Sequence, residues 1–309
     1  MHYKRKELAT DRVFSLVVNS FLFISLVIVL YPLLYIVACS FSEPQAVMAK
    51  KVWLFPVNFD LVSYKAVFTN KQIGTGYMNS LYYMVTGTVV SVLLTMLLAY
   101  PLSRKEFYGR SVVTKLILFT MLFTGGTIPL YLVVRNLGIY DSRWAIILPN
   151  AITVWNVIIA RTFLQENISD ELYEAAEIDG CSDIRFLISF VFPLSGAIVA
   201  VLALFYAVGQ WNKYFDALLY LQKQALYPLQ IVLRNILIIN RNTPSMTVDV
   251  EAAIRAQGLS ETIRYAVIVV ASVPLLVIYP FVQRFFVKGV MIGSVKGWST
   301  QLPCGGCIQ

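Results

Sequence analysis

Six long apolar runs dominate the hydrophobic pattern of the chain, and polar segments separate them. Each run has about 20 residues or more, which as an α-helix is long enough to cross the hydrocarbon core of a bilayer. The runs lie at residues 13–39, 80–102, 112–134, 144–164, 190–209 and 265–287. The pattern therefore predicts an all-α integral membrane protein with about six transmembrane helices.

Composition favours the same class. Hydrophobic residues make up 58% of the chain and charged residues only 14%, whereas a soluble domain carries roughly a quarter charged residues. The first run continues through Tyr31 and Pro32 without a small-residue cleavage site, so it is predicted to be a retained anchor and not a signal peptide.

Basic residues near the first three runs predict the orientation. These residues are Lys4, Arg5, Lys6, Arg12, Arg104, Lys105, Arg110 and Lys115. Because positive charge favours the cytoplasmic side, both termini and the connection at 161–189 are predicted to be cytoplasmic. The chain then divides into an N-terminal part (1–75) with the first membrane helix and an external segment, a transmembrane core (76–287) and a cytoplasmic tail (288–309).

Two further patterns concern the helices themselves. The apolar stretch at 229–239 is too short to span a membrane and contains Arg234 and Asn235, which predicts a re-entrant or interfacial helix. Proline is concentrated in or at the ends of the runs, at Pro32, Pro101, Pro129, Pro149, Pro193, Pro274 and Pro280. Such prolines kink helices, as expected of a transporter whose halves rock against each other.

The connection at 161–189 is unusually acidic, with seven of the 17 carboxylates in the chain. Ser169 or Asp170 can cap the start of a helix there, and Gly180 suits the left-handed residue that ends one. The pattern predicts a helix of about three turns.

Apolar residues on this predicted helix point to its role. Leu172, Ala175 and Ala176 recur at spacings of three and four, which predicts a small apolar patch that fits the groove of a partner. The alternative is an amphipathic helix lying on the membrane surface, but such helices usually carry Lys or Arg on their polar face.

The residues of a catalytic or metal site are missing from the sequence. The only histidine is His2, so no Ser/His/Asp, Cys/His or metal-binding constellation can be assembled. No phosphate-binding glycine loop ending in Lys-Ser or Lys-Thr is present, and the chain is therefore predicted not to be an enzyme and not to hydrolyse ATP itself. The pair Cys304 and Cys307 is more consistent with a disordered tail than with a metal or redox site.

Aromatic and amide side chains near the fourth and fifth runs are candidates for contact with a solute. Sugar-sized ligands are commonly held by stacking on an aromatic face and by hydrogen bonds to amides. The candidates are Asn150, Trp155, Asn156, Tyr206, Gln210 and Trp211. Anchoring of the aromatic residues at the membrane interface is an equally good interpretation.

Sorting charges by predicted side gives 13 basic and 10 acidic residues inside, against 12 and 7 outside. The exterior is the more basic face, which favours an anionic solute or an acidic docking partner. Solvated charge on external loops is the alternative.

Together these residues resemble the inner-membrane permease subunits of ATP-binding-cassette (ABC) importers for carbohydrates, the group that includes the maltose-type G subunit. The family pattern is Glu-Ala-Ala, three residues, Gly and a downstream Leu-Pro. Its matches here are Glu174, Ala175, Ala176, Asp179, Gly180 and Pro193. Phe192 replaces the usual Leu, and Ser169 stands where the family often has Pro. The ending at 279–297 is similar to the branch for complex polysaccharides, including uronate-bearing ones such as alginate.

This resemblance implies a type I ABC importer permease fold and the import of oligosaccharides, including acidic ones, across the bacterial cytoplasmic membrane. Two related but nonidentical permease chains would form the pathway within the membrane lipid, together with two ATP-binding-cassette subunits and an extracytoplasmic solute-binding protein. The ATPase subunits would bind ATP and Mg²⁺, while this chain would bind no cofactor and no nucleic acid. Glu174 would contribute polar contacts at the ATPase, Ala175 and Ala176 a close apolar fit, and Gly180 a tight turn.

Other classes of membrane protein fit less well. An ion-coupled secondary sugar carrier or a channel is the main alternative, but the runs contain almost no ionisable groups for ion coupling. An ATP-driven exporter half would normally have long cytoplasmic helix extensions. A purely structural membrane scaffold is a third possibility.

Overall fold

Long apolar helices form most of the chain in the computed structural model, which describes residues 9–239 and 250–294. The helices are α1 Ala9–Ser40, α2 Pro44–Met48, α3 Val62–Thr69, α4 Lys71–Ser103, α5 Arg110–Leu122, α6 Thr127–Asn136, α7 Trp144–Ile147, α8 Val154–Asn167, α9 Asp170–Ile178, α10 Asp183–Phe186, α11 Phe192–Leu194, α12 Gly196–Trp211, α13 Phe215–Tyr220, α14 Leu229–Ile239 and α15 Val250–Ser294. A π-helical segment, Leu187–Val191, precedes α11, and a 3₁₀ turn, Gln224–Leu226, precedes α14. Within the described ranges the only β-type pairing is an isolated bridge between Ser42 and Phe59. The predicted all-α class is confirmed. The N-terminal residues through Leu8, including His2, and the tail with Cys304 and Cys307 lie outside the described residues.

Three described helices are long and apolar enough to cross a membrane. They are Val13–Ser40, Lys71–Ser103 and Gln257–Pro280. Two further helix pairs meet the same test only when taken together, as a broken span or a re-entrant loop: Arg110–Leu122 with Thr127–Asn136, bent by 116°, and Asp183–Leu194 with Gly196–Trp211, bent by 84°. Five of the six predicted runs therefore have a counterpart that meets the length and composition of a span.

The fourth predicted run, 144–164, is not one helix. α7 ends at Ile147 and α8 begins at Val154. Pro149 lies between them, and a proline has no backbone N–H to continue the helical hydrogen bonds. The prediction of a single span is therefore wrong here, and the break places Asn150 in a connection and not inside a helix.

The described residues fall into two compact units. The first contains the described residues up to Gly74 and those of 233–272. In it, a small cluster of Ala38, Cys39, Ala46, Val47 and Val52 packs after α1, and the ring of Tyr35 lies edge-on to Tyr265 of α15.

The second unit contains Thr75–Val232 and the described residues from Val273 onward. Its largest core joins α4, α8, α9 and α12. Buried polar contacts also tie these helices together, because the hydroxyls of Thr95 and Tyr206 are hydrogen-bonded at 2.6 Å and Tyr206 accepts the Thr153 N–H at 3.2 Å. This core positions both features described next.

Candidate functional site

The start of helix α9 is fixed by its own sequence. Ser169 adopts an extended backbone conformation, and its Oγ accepts a hydrogen bond from the Leu172 N–H at 3.4 Å. Asp170 and Glu171 occupy the first turn, where negative charge complements the helix dipole. The N-cap interaction satisfies a backbone donor that would otherwise lack a partner within the helix.

The end of α9 is equally specific. Gly180 has a φ of +74°, a left-handed conformation that favours glycine. Its N–H donates to the carbonyl of Glu177 at 2.9 Å, and the N–H of Cys181 donates to the carbonyl of Ala176 at 2.9 Å. These two bonds form a Schellman motif. The predicted short helix, its cap and its terminating glycine are confirmed.

The faces of α9 differ from the prediction. Ala176 is only 8% exposed and belongs to the core of the second unit, against which Leu172 also packs. Of the predicted outward patch, only Ala175 is exposed. The outward face is instead formed by Glu171, Glu174, Ala175 and Ile178. The 3.6-residue period groups 172 with 176 and 171 with 175 and 178, but it does not indicate which group meets the core.

The chain segment between α4 and α5 also holds α9 in place. The guanidinium of Arg104 lies 3.8 Å from the centre of the Tyr173 ring and 3.8 Å from the Asp170 carboxylate. The ammonium of Lys105 donates to Asp170 at 2.9 Å, and this bond holds the pKa of the Asp170 carboxyl below its usual range. Tyr173 donates to Asp183 at 2.7 Å. The connection between α4 and α5 thus contacts the first turn of α9, and Tyr173 in turn links that turn to Asp183 beyond the end of the helix.

The remaining predicted docking residues lie at different places. Glu174 and Asp179 are exposed on or directly after α9. Pro193 is also exposed, but it lies in α11, at the bend that precedes α12. It is therefore not part of the α9 surface.

A polar cavity of about 410 Å³ lies between α8, α12 and the connections beside them. Its walls are formed by Asn150, Thr153, Trp155, Asn156, Phe205, Tyr206, Gly209, Gln210 and Lys213. Five of the six predicted solute-contacting residues are in this list, so two groups that are more than 40 residues apart in sequence share one cavity. Trp211 does not line it. Its ring is 1% exposed and packs edge-on against Tyr77 at a centroid distance of 5.6 Å.

Lys213 is the charged residue of the cavity wall, and it is not among the residues predicted from the sequence. Its ammonium donates to the carbonyl of Ile146 at 2.7 Å and lies 3.9 Å from the Asp216 carboxylate. The same Asp216 oxygen accepts a hydrogen bond from Asn150 at 2.9 Å. Burial lowers the pKa of Lys213 to about 8, and the nearby Asp216 only partly opposes this effect.

Gln210 is a buried residue in the wall of the cavity. The side chain is buried, and its Oε1 has no hydrogen-bond partner among the described residues. A Cβ atom added to Gly87 of α4 would lie 2.5 Å from Gln210 Cδ. Gly87 therefore provides the space that the Gln210 amide occupies. A buried acceptor without a partner is costly in a protein interior, and a solute hydroxyl would satisfy it.

Helices broken near a polar cavity, and an exposed acidic helix between two spans, define the chain as a membrane transport subunit. The polygalacturonan/rhamnogalacturonan transport system permease protein YtcP of Bacillus subtilis (strain 168) is 42% identical over 287 residues, which cover 93% of this chain and 99% of that protein. Protein LplC of the same strain is 43% identical over 270 residues, covering 87% and 90%. No family model matches the sequence.

A solved structure agrees with these relatives. A chain in the crystal structure of a bacterial ABC transporter involved in the import of the acidic polysaccharide alginate is 33% identical, with a TM-score of 0.83, covering 92% of this chain and all of that one. The present chain belongs to the family of permease subunits of ABC sugar-transport systems. It is an integral membrane protein with the type I importer fold, and it serves oligosaccharide import. The predicted family and class are confirmed, and the secondary-carrier alternative is set aside.

Proposed function

We propose that this permease forms, with a second and related permease chain, a pathway for acidic, uronate-containing oligosaccharides across the bacterial cytoplasmic membrane. Two relatives support this substrate class. One is the permease of a polygalacturonan/rhamnogalacturonan transport system, and the other belongs to an importer of alginate. Both polymers contain sugar acids.

The cavity between α8 and α12 is the observation that carries the proposal. It combines an exposed indole face at Trp155 with the unpartnered acceptor of Gln210. Lys213 is the only charged residue among the described residues that line it. An aromatic face for stacking, an acceptor for a sugar hydroxyl and a cation for the carboxylate are the groups that bind an acidic sugar.

We further propose how ATP drives the pathway. Two ATPase subunits bind ATP and Mg²⁺ and receive the outward face of α9, with Glu174 making polar contacts and Ala175 allowing close approach. Asp179 and Gly180 shape the end of this helix, and Ala176 acts from the core side by holding it in place. An extracytoplasmic binding protein delivers the solute, and both termini face the cytoplasm.

The test is ATP-dependent uptake by liposomes that contain this chain with its permease, ATPase and binding-protein partners. We expect uptake of an acidic oligosaccharide that exceeds uptake of its carboxyl-reduced, neutral counterpart. Preference for the neutral sugar would reject the acidic substrate class. Flux without ATP would reject the coupling proposal.

Replacing Gly87 with alanine is expected to weaken uptake by displacing the Gln210 amide. The new Cβ would overlap the end of a flexible side chain, so Gln210 should rotate while the helices remain in place. Loss of one neutral hydrogen bond is worth about 1 kcal/mol, or roughly a fivefold rise in KM for uptake. Gly196→Ala is the control, because a Cβ there meets no atom within 4 Å. An unchanged KM in Gly87→Ala would show that Gln210 does not contact the solute.

A further inference from the structure

A second cavity lies beside the first turn of α5, where the connection from α4 meets α8. It has a volume of about 930 Å³. Its lining is formed by Lys105, Glu106, Phe107, Tyr108, Gly109, Arg110, Ser111, Val112, Thr114, Lys115 and Arg161. Four of these residues are cations and one is an acid, so the lining carries a net charge of +3. This cavity is separate from the solute cavity between α8 and α12.

Among the described residues, three of the four cations have no acidic partner. Lys105 is paired with Asp170, but none of the ion pairs among the described residues includes Arg110, Lys115 or Arg161. The two arginines are half-buried and donate to backbone carbonyls instead. Arg161 Nε donates to Leu102 at 3.0 Å, and Arg110 Nη1 donates to Arg104 at 3.4 Å. Grouped and partly desolvated cations favour a bound anion.

A preference for basic residues on the cytoplasmic side does not by itself explain this arrangement. That preference accounts for Arg110 and Lys115, which lie in the first two turns of α5. Arg161 comes from α8, about 50 residues later, and it joins the same cavity. Thr114 also lines the cavity, and its buried hydroxyl has no hydrogen-bond partner among the described residues.

The surface next to the cavity is apolar. No residue of α5 is buried, and Val112, Leu116 and Phe119 expose more than half of their surface. The cavity therefore joins a cationic, hydroxyl-bearing pocket to the exposed apolar side of a membrane helix. This combination matches an amphiphile with an anionic head, and a soluble anion would use only the first part.

We infer that this cavity binds the phosphate headgroup of an anionic phospholipid, with Arg110, Lys115 and Arg161 around the phosphate and the acyl chains along α5. Arginine guanidinium groups match phosphate oxygens with two parallel hydrogen bonds, and lysine adds a point charge. Basic pockets between membrane helices are known to bind anionic headgroups. The Thr114 hydroxyl supplies a further donor to the same phosphate.

The test compares bound lipid in the purified, fully assembled transporter by native mass spectrometry. The probes are phosphatidylglycerol and phosphatidylcholine of identical acyl chains. The Arg110→Gln/Lys115→Gln variant is expected to retain roughly tenfold less phosphatidylglycerol than the wild type, with phosphatidylcholine unchanged. The control is Lys51→Gln/Lys65→Gln, which removes the same charge from exposed lysines elsewhere.

Each outcome decides the proposal. Selective loss of phosphatidylglycerol in the cavity variant, but not in the control, supports it. Equal retention by the wild type and the cavity variant would overturn it, and so would a wild type without preference for phosphatidylglycerol. Displacement of the bound lipid by inorganic phosphate alone would also overturn it, since the site would then recognise a free anion.

Discussion

Replacing Gly180 with valine is expected to reduce ATP-driven uptake at least tenfold while the membrane helices remain folded. Gly180 has a φ of +74°, and a residue with a Cβ in this conformation costs about 1–2 kcal/mol. A Cβ at this position meets no atom within 4 Å, so the cost comes from the backbone and falls on the turn that ends α9. Uptake and ATP hydrolysis are measured together in liposomes, and hydrolysis is expected to lose its dependence on the solute.

Gly138 offers a matched control for this substitution. It has a φ of +70° and also has open space around it, but it lies in the connection after α6. Gly138→Val should therefore lower thermal stability to a similar extent and leave uptake coupled to ATP. Gly180→Asn should keep most of the uptake, because asparagine tolerates the left-handed conformation. Normal transport by Gly180→Val would show that the turn is not needed for coupling.

Local signals in the sequence were enough to predict α9. Its cap at Ser169, its acidic first turn and its end at Gly180 depend on residues within a dozen positions of each other, and each has a backbone reason. The direction of its faces depends on where the core lies, which is a tertiary property. For this reason Ala176 was assigned to a partner's groove although it packs in the core of its own chain.

The predicted membrane spans also show that local sequence signals do not determine tertiary structure. Apolar length predicted five of them, and the third is broken between Leu122 and Thr127. The bend of 116° at that point could not be read from the sequence. At 144–164 the apolar run was continuous in composition, but Pro149 interrupts the helix. Apolar composition shows that a segment is compatible with the membrane, whereas the continuity of its helix depends on backbone hydrogen bonds.

Five residues that line the solute cavity were predicted from their residue type, but the cavity itself depends on how the helices pack. Asn150 and Trp155 were predicted as solute contacts separately from Tyr206 and Gln210. They line one cavity because α8 packs against α12. Trp211 was predicted with Gln210 but does not line the cavity. One step along a helix turns a side chain by about 100°, and the Trp211 ring therefore packs against Tyr77 instead. Lys213 was missed because its burial depends on how α12 packs and cannot be read from its neighbours in sequence.

Replacing Lys213 with glutamine is expected to lower the apparent affinity for an acidic oligosaccharide roughly tenfold or more and to leave the carboxyl-reduced sugar nearly unaffected. Hydrogen bonds to charged groups contribute about 1.5–3 kcal/mol, and a glutamine amide keeps a donor for the Ile146 carbonyl. Because the pKa of Lys213 is lowered to about 8, its charge is lost as the pH rises through this value. Uptake of the acidic sugar by the wild type should therefore fall between about pH 7 and pH 9, with no matching fall for the neutral sugar.

Lys223→Gln is the matched control for Lys213→Gln. It removes the same charge from a nearby segment, but the Lys223 side chain is 69% exposed and pairs with Asp141 outside the cavity. Equal uptake of the acidic sugar by Lys213→Gln and the wild type would exclude Lys213 from the binding site, and so would an equal loss for both sugars. If the wild type itself does not take up the acidic sugar, the proposed substrate class is wrong, whatever the variant does. The two failures are therefore distinguishable, because the first is measured between variants and the second within the wild type.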